Sequence, residues 1–120
     1  MNVVELDPKA KKDTERKDSM LEVLEEIKAL EDAIDAMTSE LKPMTHFILP
    51  GGHPLISHTH ITRCVCRRAE RCCVRLELES LEVDPVILKY LNRLSDYMFV
   101  LGRYIGAQLK VEENIWKPRV

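Results

Sequence analysis

The residues best suited to chemistry in this sequence are arginines that recur every fourth position in its middle third. Together with one arginine beside them they form a set that we call the arginine ridge: Arg63, Arg67, Arg68, Arg71 and Arg75. Like charges four residues apart destabilise an isolated helix by roughly 0.2 to 0.5 kcal/mol per pair, so the ridge needs counter-charges or a bound anion. Guanidinium groups bind phosphate oxygens in pairs, which makes a polyphosphate a natural ligand. From the pattern alone, a solvated ridge that pairs with the acidic first helix is the simpler alternative.

Histidines and cysteines near the ridge raise the hypothesis of a metal site, because His60 and Cys64 would share one helix face. Two ligands do not make a site, and His58 would diverge from His60 by about 200° on a helix. We therefore expect capping and packing roles for the histidines, and no bound metal. Cys66 and Cys72 would lie roughly 9 Å apart along a helix, beyond the ~7 Å limit for a disulfide. We expect reduced thiols, in a cytosol-like compartment.

Composition limits the classes of protein that remain. The chain has 120 residues, of which 45% are hydrophobic and 32% charged, enough apolar area for one folded domain. With only 4 Gly and 6 Pro, it favours helices over a turn-rich sheet. A formal net charge of −2 gives no basic excess for nucleic acid or an anionic membrane. No apolar run approaches the roughly 20 residues of a membrane span, so we expect a soluble, cytoplasmic protein.

Charge and apolar spacing divide the chain into a leader and one domain. Residues 1–17 carry many charges and no apolar period, which predicts a mobile charged leader. Residues 18–120 then form a helical bundle domain. Ser19 followed by Glu22 is a capping box, and apolar residues recur after it at steps of three and four. This pattern predicts a first helix that begins near Ser19 and ends near Lys42.

Two further helices are marked by their starts. Pro54 suits the first turn of a second helix, which meets no breaker before about Glu79. Asp84 followed by Pro85 combines a capping residue with a proline at the first helical position. The second helix carries an apolar stripe along one side: Ile61, Val65, Ala69, Cys72 and Leu76. The sequence predicts an all-α bundle of three long helices that oligomerises, because apolar faces lie on more than one side.

The connection between the first two helices contains a short apolar strip, Phe47 to Leu49, followed by Pro50-Gly51-Gly52. Paired glycines permit left-handed backbone and a close approach, so this is a structured loop. It either plugs one end of the bundle or presses an aromatic ring against a flat cofactor, and spacing leaves both interpretations open. The tail from Glu112 to Val120 is too short for a further element.

Three motifs, in order, closely resemble those of the ATP:cob(I)alamin adenosyltransferases of the propanediol-utilisation type. They are Phe47-Ile48-Leu49-Pro50-Gly51-Gly52, then Arg63-x-x-Cys66-Arg67-Arg68-Ala69-Glu70-Arg71, then Tyr90-Leu91-Asn92-Arg93-Leu94-Ser95-Asp96-Tyr97-Met98-Phe99-Val100-Leu101. The resemblance implies an enzyme that transfers the 5′-deoxyadenosyl group of ATP, bound with Mg²⁺, to reduced corrinoid cobalt, releasing triphosphate. It also implies a homotrimeric helical bundle that binds ATP and cobalamin at subunit interfaces, and a corrinoid reductase is a further expected partner.

The resemblance also implies roles for particular residues. On the ATP side, Arg67 would contact the phosphates and Arg63 would hold the catalytic site through an ion pair. Asn92 would touch the nucleotide, and Glu70 and Arg68 would complete the polar network.

On the corrinoid side, Phe47 would stand on the lower face of the corrin and displace the axial base, so that four-coordinate cobalt(II) becomes easier to reduce. Members of the family begin with a Thr- and Gly-rich phosphate loop and a helix that carries the aspartate partner of Arg63. Residues 1–17 contain no glycine and do not match that loop. The alternative function is therefore that of a catalytically inactive, truncated homologue, which acts as a corrinoid-binding or helical assembly protein.

Overall fold

The computed structural model of the chain describes residues 8–44, 48–49 and 51–115. Among them three helices follow one another: α1 (Pro8–Thr38), α2 (Pro54–Leu78) and α3 (Pro85–Gln108). Helix α3 packs against both α1 and α2, whereas α1 and α2 do not pack against each other. The predicted bundle of three long helices is confirmed, with α3 as the element that the other two share. Within the described residues, no helix is both long enough and apolar enough to cross a bilayer.

The starts of α2 and α3 agree with the sequence prediction, because both are set by local capping. At the start of α2 the ring nitrogen Nδ1 of His53 accepts a hydrogen bond from the Leu55 amide at 3.1 Å. At the start of α3 the Asp84 carboxylate accepts one from the Val86 amide, also at 3.1 Å. A proline follows each cap at the first helical position, where its missing N–H costs nothing. The capping role expected for a histidine is thus confirmed at His53.

Helix α1 differs from the prediction at both ends. It begins at Pro8 instead of near Ser19, so residues 8–17 of the predicted leader are helical, and residues 1–7 lie outside the described residues. The stretch after Pro8 is rich in Lys, with single Ala, Glu and Arg residues, and these residue types favour helix without any apolar period to reveal it. The helix ends at Thr38 instead of near Lys42, because tighter turns follow it.

A short two-stranded ribbon joins the connection between α1 and α2 to the segment that follows α3. Strand β1 (Ile48–Leu49) pairs antiparallel with β2 (Asn114–Ile115), with Ile48 opposite Ile115. The chain reaches β2 by turning back after α3: Lys110 takes a left-handed φ of 57°, and the Val111 amide donates to the Gly106 carbonyl at 2.8 Å. The prediction that no element follows residue 112 is therefore wrong. Two-residue strands carry no period that a sequence could show.

The face of α2 that packs is not the apolar stripe that the sequence suggested. Ile61 is 60% exposed and Val65 is 48% exposed. The buried residues of α2 are Ile56, Thr59, His60 and Cys66. Of these, Thr59 and His60 lie against Gly102 of α3 and Ile56 lies against Gly106, and both glycines are themselves buried. A Cβ on Gly102 would lie 2.6 Å from the Thr59 hydroxyl. Close backbone approach thus selects a partly polar face of α2 for packing and leaves the apolar stripe outside.

Candidate active site

The arginine ridge is largely exposed, and within the described part of the chain none of its arginines forms an ion pair. Arg67 and the three arginines after it are exposed, and Arg63 is half-buried. Three ion pairs form among the described residues, and none of them involves the ridge. The interpretation in which the ridge pairs with the acidic first helix is wrong, because α1 packs against α3 and not against α2. The arginines of the ridge therefore repel one another, and a bound anion would relieve this repulsion.

Arg63 is held by an aromatic ring of α3. Its guanidinium carbon lies 5.2 Å from the centroid of Phe99, a cation–π contact. His60, one turn earlier on α2, meets the same ring edge-on, with centroids 6.2 Å apart and planes at 72°. Burial lowers the pKa of His60 from its ordinary value of 6.5, and the positive charge of Arg63 lowers it further. Phe99 thus contacts both the guanidinium group of Arg63 and the imidazole ring of His60.

The packing role expected for a histidine is confirmed at His60. Its ring is buried between α2 and α3, whereas Cys64, the second residue of the hypothetical metal pair, is exposed. All four cysteines are free, as the spacing predicted. Burial raises the pKa of the Cys66 thiol, which behaves as a small core residue.

A polar network connects α2 with α3 and α1 beside the ridge. The amide nitrogen of Asn92 donates to Glu70 over a long 3.5 Å, so two residues predicted from the sequence lie together. The side-chain oxygen Oδ1 of Asn92 in turn accepts a hydrogen bond from Arg93 at 3.2 Å. Arg93 then donates to Asp96 at 2.9 Å and to Glu31 of α1 at 3.1 Å. Because partly exposed pairs contribute only about 0 to 1 kcal/mol, the network mainly fixes the direction of the Asn92 side chain.

Sequence reasoning gave no role to Arg93 or Phe99, although both lie in the third motif. The signal for Arg93 was present, since Asp96 follows it by one helical turn. No spacing could reveal the contact of Phe99 with Arg63, because it depends on how α2 crosses α3.

The predicted site residues divide into two groups. Arg63, Arg67 and Glu70 belong to one stretch of α2, and Asn92 meets it from α3. Arg68 instead lines an open groove of about 570 Å³ on α2, with an apolar floor that includes Ile61, Cys64 and Val65. Arg68 is therefore not part of the network around Glu70. Phe47, predicted to contact the corrin, lies outside the described residues.

Comparison with known proteins defines the class. Residues 3–105 match the family of cobalamin adenosyltransferases, and the chain belongs to this family. The resemblance carried by the three motifs is thereby confirmed.

Individual proteins of this family that the chain resembles are corrinoid adenosyltransferases. The chain is 48% identical over 87 residues to the human corrinoid adenosyltransferase MMAB, covering 72% of this chain and 34% of that protein. It is 47% identical over 95 residues to the corrinoid adenosyltransferase of Bacillus subtilis strain 168, covering 79% and 48%. A solved variant of the PduO-type ATP:corrinoid adenosyltransferase from Lactobacillus reuteri, complexed with cobalamin and ATP, superposes with a TM-score of 0.72 at 34% identity, covering 77% of this chain and 50% of that one. The chain thus spans from about a third to half the length of these relatives.

Proposed function

We propose that this chain acts in the transfer of the 5′-deoxyadenosyl group from ATP to the cobalt of a reduced corrinoid. The observation that carries the proposal is the exposed arginine ridge, which has no counter-charge among the described residues, in a member of the cobalamin adenosyltransferase family. The complex of the Lactobacillus reuteri relative with cobalamin and ATP supports the same pair of substrates. Relatives named as transferases favour this function over that of an inactive assembly protein.

The reaction requires no nucleophilic side chain from the protein. Reduced cobalt supplies the electron pair that forms the cobalt–carbon bond, while the bond from C5′ to the phosphate oxygen breaks and its pair leaves with triphosphate. The protein must orient C5′ for in-line attack and neutralise the departing charge. Arg67, exposed on the ridge, suits the triphosphate, and the Glu70–Asn92 contact suits the nucleoside. Phe99 holds Arg63 at the edge of this region.

Assembly and partners belong to the same proposal. The exposed apolar stripe with Ile61 and Val65 supports an assembly of copies, for which we propose a homotrimer. Because the attacking cobalt must first be reduced, a corrinoid reductase is the partner we propose. Free cysteines suit a reducing, cytoplasmic compartment.

The test compares two arginines of the ridge by titration calorimetry with ATP and Mg²⁺, and with triphosphate. Arg67→Ala removes charge-assisted hydrogen bonds to the phosphates, so we expect Kd for ATP and for triphosphate to rise by about tenfold or more. The matched control is Arg75→Ala, which removes the same group outside the motif that resembles the family and should change Kd by less than about twofold. Equal effects on Kd would contradict the assignment of Arg67 to the triphosphate.

A separate assay supplies chemically reduced cobalamin and ATP and follows the absorbance of adenosylated corrin. If the chain binds the corrinoid without forming the adenosylated product, the inactive homologue is favoured instead.

A further inference from the structure

The groove on α2 has the form of a helix face that packs against another helix. Every residue that lines it belongs to α2. Along the groove, residues recur at alternating steps of four and three, the spacing of a seam between two helices: Ser57, Ile61, Cys64, Arg68 and Arg71. Ile61 and Val65 make its floor apolar, and the two arginines are exposed at its far end. The shape, spacing and chemistry of the groove therefore suit a second helix.

Helix α1 carries a matching face that is exposed within the chain. Leu21 is 59% exposed and Leu24 is 44% exposed, whereas Ile27 of the same helix is buried. Beside these leucines runs a set of exposed residues at steps of three and four, which we call the outer face of α1: Asp18, Leu21, Glu25, Lys28, Asp32 and Asp35. None of its four acids belongs to an ion pair among the described residues.

The groove and the outer face of α1 are complementary in charge. Residues 18–35 contain seven acidic side chains and one lysine, whereas α2 contains five arginines and two glutamates. In a pair of helices, opposite charges along the edges select the partner, and apolar residues between them supply the burial. Two grooves that faced each other would instead bring the arginines of both copies together, which like-charge repulsion disfavours. The outer face of α1 therefore suits the groove, and a second groove does not.

Such a contact must form between copies of the chain. Within one copy, α3 packs against both α1 and α2, and these two do not pack against each other. A second copy can bring its α1 to the groove while both copies keep their fold. Because the face that each copy gives differs from the groove in which it receives, the contact is heterologous and can repeat around a closed ring. A ring of three copies is compatible with this geometry.

We propose that the groove of α2 is the docking site for the outer face of α1 from a second copy of this chain. The inference rests on the assembly of copies in the proposed function, and it names the two surfaces that would meet. It also divides the arginine ridge between two tasks. Arg68 and Arg71 line the groove and meet the neighbouring copy, whereas Arg67 does not line it and stays available to an anion.

The first experiment reverses the charge on each face in turn and follows the molar mass by light scattering over a range of protein concentrations. Arg68→Glu combined with Arg71→Glu places acids opposite acids, so association should weaken by about tenfold or more. Glu25→Lys combined with Asp32→Lys places bases opposite bases and should weaken it to a similar degree of about tenfold. All four reversals in one chain should restore association to within about threefold of the parent, because opposite charges face each other again.

The recovery is informative because α1 and α2 of one chain do not pack against each other, so it must arise between copies. The matched control is Lys89→Glu combined with Lys110→Glu, two exposed lysines outside both faces. It changes the net charge as much as the pair of arginine reversals does, and it should change association by less than about twofold. Equal weakening by the control, or no recovery in the combined variant, would overturn the inference.

The second experiment needs no substitution. Cys64 is exposed and lines the groove, so α1 of a neighbouring copy would cover it. Iodoacetamide should modify Cys64 about tenfold more slowly in the assembled protein than after dilution to the monomer, because the thiol is then shielded. The control with both lysines reversed should show the same protection.

The outcomes separate this inference from the rest of the proposed function. An assembly in which Cys64 reacts as fast as in the monomer would overturn the inference and leave a homotrimer that forms through another surface. A parent chain that stays monomeric at every concentration would overturn both, and would favour an acidic helix of a different protein as the occupant of the groove. Absence of adenosyl transfer in an assembly that protects Cys64 would count against the proposed function and support the docking site.

Discussion

Gly102 of α3 leaves no room for a side chain against Thr59 of α2, and its replacement by alanine tests the packing directly. A Cβ at this position would lie 2.6 Å from the Thr59 hydroxyl oxygen. That oxygen is held by a hydrogen bond of 2.6 Å to the Ile56 carbonyl, so it cannot simply turn away. Helix α2 must therefore move outward, as in other overpacked cores, at a cost of about 1 to 3 kcal/mol.

The net magnitude follows from two opposing effects. Alanine is favoured over glycine within a helix by about 1 kcal/mol. We therefore expect Gly102→Ala to lower the free energy of unfolding by about 1 kcal/mol and Tm by about 4 °C. In a Thr59→Ala background the colliding oxygen is absent, and the nearest remaining atoms lie at 3.7 Å or more. There the same substitution should stabilise the protein, a reversal of sign.

Urea unfolding of the four proteins in this cycle measures the effect. Gly106→Ala is the matched control, because its new Cβ would meet the end of the flexible Ile56 side chain at 3.3 Å. It should be neutral or slightly stabilising. If Gly102→Ala destabilises equally with and without the Thr59 hydroxyl, the close contact is not the cause, and the account of the helix packing is refuted.

Two further predictions concern titration and reactivity. The pKa of His60 is lowered in the folded state, so the unfolded chain binds more protons and stability falls as pH drops below about 6.5. His60→Gln should flatten this part of the pH dependence of urea unfolding, and an unaltered slope would contradict it. Because burial raises the pKa of Cys66, iodoacetamide should modify the exposed Cys72 about tenfold faster, as followed by mass spectrometry. Equal rates would show that Cys66 is not enclosed in solution.

Local signals in the sequence were sufficient to predict where α2 and α3 begin. Pro54 and Asp84 act within a single turn, so their effect does not depend on the rest of the fold. The start of α1 was misplaced because Ser19 and Glu22 look like a cap even inside a helix that continues on both sides. A cap signal thus locates a helix end only when the neighbouring residues disfavour helix.

The packed face of α2 could not be predicted from hydrophobicity. Its core side carries Thr59 and His60, while the more apolar Ile61 faces outward. What selects this face is the small size of Gly102 on the partner helix, a property of the pair and not of α2 alone. For the same reason the arginines of the candidate site were found from their spacing, whereas the contact of Phe99 with Arg63 required the crossing of two helices.

The separation of α1 from α2 by α3 gives the molecule an electrical polarity. Residues up to the end of α1 are mainly acidic, and α2 carries the arginine ridge, with no contact between the two helices to cancel their fields. A polyanion that diffuses toward the protein is drawn to one flank and repelled from the other before any contact forms. Its orientation on arrival is therefore biased by long-range attraction, which dissolved salt weakens.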